Sequence, residues 1–202
     1  MVGGMQSRSQ GFSFIELLVT MAIVGVLYMT LLGPSSAGVQ AKKRALCLQN
    51  LAQMHTVLTL YAAEHDGAFP VVPGAVSSEV PLSELVPRYT TDTTIFTCPG
   101  SGGTELPGAL PFAHRHISYA YVMGLPRDAP ADAMIVSDAQ VDTRAKTTGD
   151  ALFSTSGSAP GANHGPTGGH LLFVDGHVEW TGARAPRAML PPPGTTLLNP
   201  KP

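Results

Sequence analysis

The chain has 202 residues, of which 13% are charged, and its formal net charge is −2. A charge balance this close to neutral gives no support to a nucleic-acid partner. Its 22 glycines and 18 prolines favour a single loop-rich domain over a helical bundle.

The longest apolar run occupies residues 12–32, FSFIELLVTMAIVGVLYMTLL, and carries one charged side chain, Glu16. A helix of this length reaches ~32 Å, which is enough to cross the ~30 Å hydrocarbon core of a bilayer. The run therefore predicts a membrane-spanning helix that follows a polar leader, residues 1–11. Two alternatives are an ordinary single-span anchor and a secretory signal peptide cleaved after Ala37.

A second helix is predicted over residues 35–65, after a kink or break at Gly33-Pro34. Apolar residues recur there at spacings of four and three, which places them on one helix face. They are Cys47, Leu51, Met54, Leu58 and Tyr61. Asp66-Gly67 ends the helix, so residues 33–66 are predicted as an amphipathic continuation of the apolar helix.

Residues 67–182 are predicted to form a globular head. Short helical turns are expected near 81–89, strands at 93–98, 117–123 and 133–137, and a long irregular loop at 142–168. Asp175-Gly176 predicts a hairpin with a two-residue turn over 170–180, and its apolar first strand is expected to be covered on both faces. Residues 183–202 are predicted as an extended, Pro-rich tail.

Histidines and an aspartate cluster in sequence near the hairpin: His164, His170, Asp175 and His177. Such residues bind metals, but a two-residue turn would place His170 opposite Thr181, away from the others. We therefore expect no metal site here, with Asp175 serving the turn, His177 capping the strand and His164 bonding a backbone carbonyl. No catalytic constellation is recognisable, so we expect neither an enzyme nor a cofactor.

Cys47 and Cys98 are the two cysteines of the chain. In a domain outside the cytoplasm they could form a disulfide that stabilises the fold by ~3–4 kcal/mol. Two buried thiols are the equally open alternative.

The segment Gly11-Phe12-Ser13-Phe14-Ile15-Glu16 resembles the N-terminal signal of type IV prepilins and type II secretion pseudopilins. The resemblance implies cleavage after Gly11 by a prepilin peptidase, methylation of the new N-terminus at Phe12, and pairing of Glu16 with a neighbouring subunit's terminal amine. It also implies a pilin-like α+β fold, in which a long N-terminal helix packs on a small antiparallel sheet.

Two further stretches carry related resemblances. Residues 41–70 are similar to the helix end of a large prepilin-like family, through Cys47, Asn50-Leu51, Tyr61 and Asp66-Gly67. Residues 172–178, LFVDGHV, resemble the tag of prepilin-like proteins named for His-x9-Asp-Gly, which marks His164, Asp175, Gly176 and His177. Here ten residues separate His164 from Asp175, one more than in that pattern.

Two hypotheses for function follow. The first is a structural subunit of a type IV pilus or type II secretion filament. The resemblance implies as its partners the prepilin peptidase, copies of itself and other pilin-like subunits. It also implies a single-pass location in a bacterial inner membrane, with the head outside the cytoplasm, or in an extracellular filament. The second is a membrane-anchored extracytoplasmic binding module that uses the C-terminal hairpin to hold a metal or a glycan.

Overall fold

A computed structural model describes residues 13–32, 36–101, 111–189 and 191–201. The chain divides into two compact units, Met1–Val39 and Gln40–Pro202. The predicted leader, the residues Gly11 and Phe12, and the predicted break at Gly33-Pro34 lie outside the described residues. The second unit contains most of the second helix together with the predicted head and tail.

The first unit contains helix α1, Phe14–Leu32. Ser13 begins it, because its carbonyl oxygen accepts hydrogen bonds from the backbone N–H groups of Glu16 and Leu17. None of the helices, over the residues that the structure describes, reaches the length and hydrophobicity required to cross a bilayer. The membrane span over 12–32 therefore stays a prediction.

Helix α2, Ser36–Glu64, buries the face that its sequence period predicts. Cys47, Leu51, Met54 and Leu58 are fully buried, and Tyr61 packs at the margin of the same core. The helix ends where glycine allows a left-handed backbone: Gly67 has a φ of 83°, and its N–H donates to the carbonyl of Ala62.

Short helices connect α2 to the sheet. Helix α3, Glu79–Leu82, continues into a 3-10 turn at Ser83–Leu85, in the region predicted as helical turns. The strand predicted over 93–98 is wrong, because Thr93–Phe96 forms a 3-10 helix. Asp92 causes this: its carboxylate accepts hydrogen bonds from the backbone N–H and the hydroxyl of Thr94 and so caps the turn.

Five antiparallel strands form one sheet in the order β4-β3-β2-β1-β5. They are β1, Tyr119–Met123; β2, Met134–Asp138; β3, Gly169–Phe173; β4, Val178–Thr181; and β5, Thr196–Leu198. The α+β class and the antiparallel sheet are thus confirmed. Strand β5 is an addition, since the region predicted as a tail returns to pair with β1.

The predicted hairpin is present, but its predicted register is wrong by one residue. His170 pairs with Trp180, and Gly169 pairs with Thr181. The N–H of Phe173 donates to the carbonyl of His177, so the loop has three residues, 174–176, rather than two. Gly176 provides the positive φ, 90°, that closes such a loop.

The sheet is covered on both faces, as predicted for β3. On one face α2 packs against Tyr119, Tyr121 and Leu172 in the larger core. On the other face, Leu171 and Phe173 contact Leu152, Phe153 and Ala185 in a smaller core. The second cover comes from the long loop and the segment after β4, which are joined by isolated bridges between Lys146 and Met189 and between Ala151 and Arg184.

Candidate functional site

A group of buried polar side chains lies between α2 and the sheet. We call it the buried polar cluster, and it consists of Cys47, Cys98, Asp138, His164 and His170. Each is at most 4% exposed. Burial of polar groups destabilises the folded state unless they form hydrogen bonds or ion pairs. The partners of each group therefore have to be identified.

The two sulfurs are brought together by different elements. Cys47 occupies the buried face of α2, and Cys98 follows the 3-10 helix capped by Asp92. Asn50, one turn along α2, donates to the carbonyl of Thr97 at 2.9 Å and so fixes the Cys98 segment against the helix. The two Sγ atoms are 3.0 Å apart, and both cysteines are free thiols.

Asp138, the last residue of β2, is the centre of the cluster. Its Oδ2 accepts the backbone N–H of His170 at 2.7 Å and lies 3.3 Å from His170 Nδ1 and 3.5 Å from His164 Nε2. Its Oδ1 accepts from the amide of Asn163 at 2.6 Å and lies 3.6 Å from Cys47 Sγ. The carboxylate therefore joins α2, β3 and the long loop.

Aromatic rings close the cluster on the side of β4. The indole of Trp180 meets His164 and His170 edge to face, with ring centroids 5.2 Å and 4.8 Å away. The guanidinium of Arg44 lies 4.1 Å from the centroid of the indole. On the opposite side the hydroxyl of Tyr119 is 3.1 Å from Cys47 Sγ. These contacts limit the access of water to the thiols and the carboxylate.

Burial and pairing shift the pKa values of the cluster in opposite directions. Burial raises the pKa of Asp138, but hydrogen bonds from His164 and His170 outweigh it and hold this pKa well below its usual range. The hydrogen bond with Cys47 lowers the pKa of Cys98 to about 7 against the opposing effect of burial, with a further contribution from His164. Burial, by contrast, raises the pKa of Cys47.

Burial and hydrogen bonding also have opposite effects on the pKa of His164. Burial lowers its pKa, but the hydrogen bonds to Asp138 and Cys98 exceed this effect and raise the pKa to about 9. Its Nε2 lies 3.3 Å from Cys98 Sγ, while its Nδ1 has no hydrogen-bond partner among the residues that the structure describes. The expectation that His164 bonds a backbone carbonyl is therefore wrong.

The structure separates the residues of the predicted tag into two groups. His164 joins the buried cluster, whereas Asp175, Gly176 and His177 form the hairpin loop. Asp175 serves the turn as expected, because its Oδ1 accepts the backbone N–H of His177 at 3.0 Å. The His177 ring pairs with Asp175 and stacks on Phe173 instead of capping the strand.

The geometric reason for expecting no metal site is wrong. The one-residue change in register places His170 opposite Trp180, and the His164 and His170 ring centroids are 5.2 Å apart. Sequence reasoning also missed Asp138 as their common partner. The sequence did carry a signal for the direction of His170. Alternation along β3 places His170 on the same face as Leu172, toward α2.

A second candidate site lies at the beginning of α1. Glu16 is in the first turn of the helix, where the free backbone N–H groups favour a negative charge. Its side chain is exposed, as is every described side chain over residues 14–28. Gly11 and Phe12, the residues predicted for cleavage and methylation, precede this site in sequence.

Comparison with known proteins concerns this second site. Residues 6–31 match the family model described as a prokaryotic N-terminal methylation motif. No curated protein and no solved structure matches the chain. The N-terminal segment is thus similar to a motif typical of pilin and pseudopilin subunits. The resemblance of the C-terminal region to the His-x9-Asp-Gly proteins, which lies beyond residue 31, stays a prediction.

Proposed function

We propose that the chain is a structural subunit of a type IV pilus or a type II secretion filament. The observation that carries this proposal is the match of residues 6–31 to the N-terminal methylation motif. In such a subunit a prepilin peptidase cleaves after Gly11 and methylates Phe12. The role is one of assembly rather than catalysis.

The surface of α1 supports an assembly role. Its described side chains are exposed and mostly apolar, including Phe14, Ile15 and Val24, each more than half exposed. An apolar surface of this extent marks a site that another molecule covers. Copies of the same helix fit it, because Ala22 and Gly25 are small residues that allow close approach of two helices.

Glu16 provides the specificity of that contact. A carboxylate on an otherwise apolar helix is unfavourable in hydrocarbon or in a filament core unless a cation compensates it. The methylated α-amino group at Phe12 of a neighbouring subunit supplies the cation in the proposed assembly. The pairing fixes the axial position of one helix against the next.

The proposal places the protein in the bacterial inner membrane through residues 12–32, with the head outside the cytoplasm or on the surface of a filament. Its partners are the prepilin peptidase, copies of itself and other pilin-like subunits. The alternative, a membrane-anchored binding module that uses the C-terminal hairpin, stays a prediction.

The assembly claim is tested with Glu16→Gln, which removes the charge and keeps the shape of the side chain. We expect the variant to be made and cleaved normally but to be absent from the sheared, pelleted filament fraction. Quantitative immunoblotting of cell and filament fractions measures both.

The matched control is Glu84→Gln, which neutralises an exposed acid in the head and should assemble like the wild type. Normal assembly of Glu16→Gln, in cells where the wild type forms filaments, would remove the pairing from the account.

A further inference from the structure

Four side chains of the buried polar cluster are joined in a ring of short distances, in which Asp138 uses its two carboxylate oxygens. Cys47 Sγ lies 3.0 Å from Cys98 Sγ, and Cys98 Sγ lies 3.3 Å from His164 Nε2. His164 Nε2 is 3.5 Å from Asp138 Oδ2, and Asp138 Oδ1 is 3.6 Å from Cys47 Sγ. Thiolate, imidazole and carboxylate are the ligand types that zinc takes in proteins.

Three of these four spacings fall in the range of a tetrahedral shell. Bonds of about 2.0–2.3 Å from zinc to nitrogen, oxygen and sulfur place neighbouring ligand atoms about 3.3–3.8 Å apart. The distances from Cys98 to His164, from His164 to Asp138 and from Asp138 to Cys47 already fall in this range. The two sulfurs must separate by less than about 1 Å, and a single oxygen of Asp138 must take the place of the two that now face His164 and Cys47.

The charge of the cluster also suits a divalent cation. Two thiols and a carboxylate converge in a space closed by Trp180 and Tyr119. Without a cation, deprotonation of either thiol would add a negative charge beside the buried carboxylate. A zinc ion would compensate both thiolates, and the two thiol protons and the proton on His164 Nε2 would leave to solvent when it binds.

The neighbours of Asp138 have the arrangement of an outer shell around a metal. The amide of Asn163 donates to one carboxylate oxygen, and the backbone N–H and the ring of His170 contact the other. Such partners orient a ligating carboxylate. His170 is therefore a positioning residue in this arrangement. One of its ring nitrogens nevertheless lies close to the potential ligand atoms of Cys47, Asp138 and His164.

We propose that Cys47, Cys98, Asp138 and His164 bind one zinc ion in a tetrahedral, structural site. All four positions are filled by protein, so no position is open for substrate, which is the pattern of a structural rather than a catalytic zinc. The ion fixes α2 to the segment after the 3-10 helix, to the end of β2 and to the long loop. This inference concerns the head and is independent of the proposed filament function.

The test uses the full-length chain, purified without chelators or reductants and analysed for metals and thiols in the same sample. We expect about one zinc ion per chain. Cys47 and Cys98 should resist alkylation until the metal is removed. Cys98→Ser and His164→Gln should weaken zinc binding by more than about 100-fold, and Asn163→Ala by about 10–100-fold.

The matched control is His177→Gln, which changes the half-exposed histidine of the hairpin loop and should retain the metal. Cobalt substitution gives an independent readout in the wild type. The thiolate-to-cobalt charge-transfer band should appear with the visible bands of tetrahedral cobalt, and each Cys→Ser variant that folds should lose about half of the charge-transfer band.

Two results would overturn the proposal. One is a folded, metal-free wild type that binds neither zinc nor cobalt while both thiols are free. The other is a Cys47–Cys98 disulfide in the whole population isolated from the native host. If a variant fails to fold, the cobalt spectrum of the wild type alone decides whether the four residues bind a metal.

Discussion

At the residue scale, Asp138 determines how the cluster is held together. It accepts hydrogen bonds from Asn163 and from the backbone of His170, and it faces His164. Because it is fully buried and ionised, its partners compensate a charge that would otherwise destabilise the fold. Its replacement should therefore cost far more than the replacement of a surface acid.

Asp138→Asn should lower the free energy of unfolding by about 3 kcal/mol. The substitution removes the charge and directs an amide N–H group toward groups that are themselves hydrogen-bond donors. Urea unfolding of the full chain in the presence of a chelator measures this, so that the result reports hydrogen bonding and not metal loss. Asp128→Asn, at an exposed position, is the control and should change stability little. Equal costs for the two variants would contradict the account.

The pH dependence of Asp138 has a definite sign. Its pKa is lowered in the folded state, so its contribution to stability is fully present above the unfolded pKa of about 3.9. The contribution is lost as the pH falls below that value toward the folded pKa. The stability difference between the wild type and Asp138→Asn should therefore shrink as the pH falls from about 4 to about 2, and a constant difference would contradict the assignment.

At the element scale, the hairpin loop depends on Gly176 for two separate reasons. Its φ is 90°, and a Cβ at this position would lie 2.7 Å from the His55 ring of α2. His55 itself contacts the carbonyl of Val174 at 3.0 Å, which holds the loop against the helix. Backbone strain and crowding can be separated, because Gly149 has a φ of 91° and open space around it.

Gly149→Ala should cost about 1 kcal/mol from backbone strain alone. Gly176→Ala should cost about 1–3 kcal/mol more, because the methyl group also displaces His55. Thermal or urea unfolding of the two variants gives the comparison. If His55→Ala restores part of the loss in the double variant, crowding is established, and equal costs at the two glycines would rule it out.

Strand β5 is held by a side chain as well as by its pairing with β1. The amide of Asn199 accepts from the backbone N–H of Gln140 at 3.0 Å and donates to its carbonyl at 2.9 Å. This double hydrogen bond mimics one more strand residue. It attaches the end of the chain beside β2 and explains why the Pro-rich region does not remain a separate tail.

Asn199→Ala should lower the free energy of unfolding by about 1–3 kcal/mol, because it leaves both backbone groups of Gln140 without a partner. Asn199→Asp, which keeps the acceptor and loses the donor, should also be destabilised, but by a smaller amount. Chemical unfolding monitored by the fluorescence of Trp180 measures both variants. An alanine variant as stable as the wild type would show that the strand does not need this contact.

The sequence predicted those elements whose residues carry a strong local signal. The period of Cys47, Leu51, Met54 and Leu58 identified the buried face of α2, and Asp175-Gly176 identified the hairpin. The 3-10 helix was missed because a single cap, Asp92, outweighs the β-branched residues that follow. Strand β5 was missed because a short strand after three prolines has no period of its own.

The buried polar cluster could be predicted only in part for a related reason. The sequence left open whether Cys47 and Cys98 form a disulfide or stay buried thiols. It grouped the histidines, but the hairpin register decided whether the histidines and the cysteines meet. A three-residue loop and a two-residue loop differ by one pairing step, and that step moves His170 from Thr181 to Trp180. Asp138 enters only through the tertiary fold.

At the scale of the whole molecule, the two units have opposite surface character. The head, in the unit Gln40–Pro202, buries its apolar residues on both faces of the sheet. Helix α1, in the unit Met1–Val39, exposes its apolar residues on all sides over residues 14–28. In the proposed filament, these exposed side chains of α1 are the ones that other subunits would cover.

Prepilin processing predicts a definite mass for the N-terminal peptide of the protein isolated from its native host. Gly11→Val provides the reference, because we expect it to block cleavage and to retain the 11-residue leader. The account predicts that the wild-type protein begins at Phe12 and carries one methyl group on its α-amino nitrogen. A protein that begins at Met1, or at Gly38 after cleavage by a signal peptidase, would contradict it.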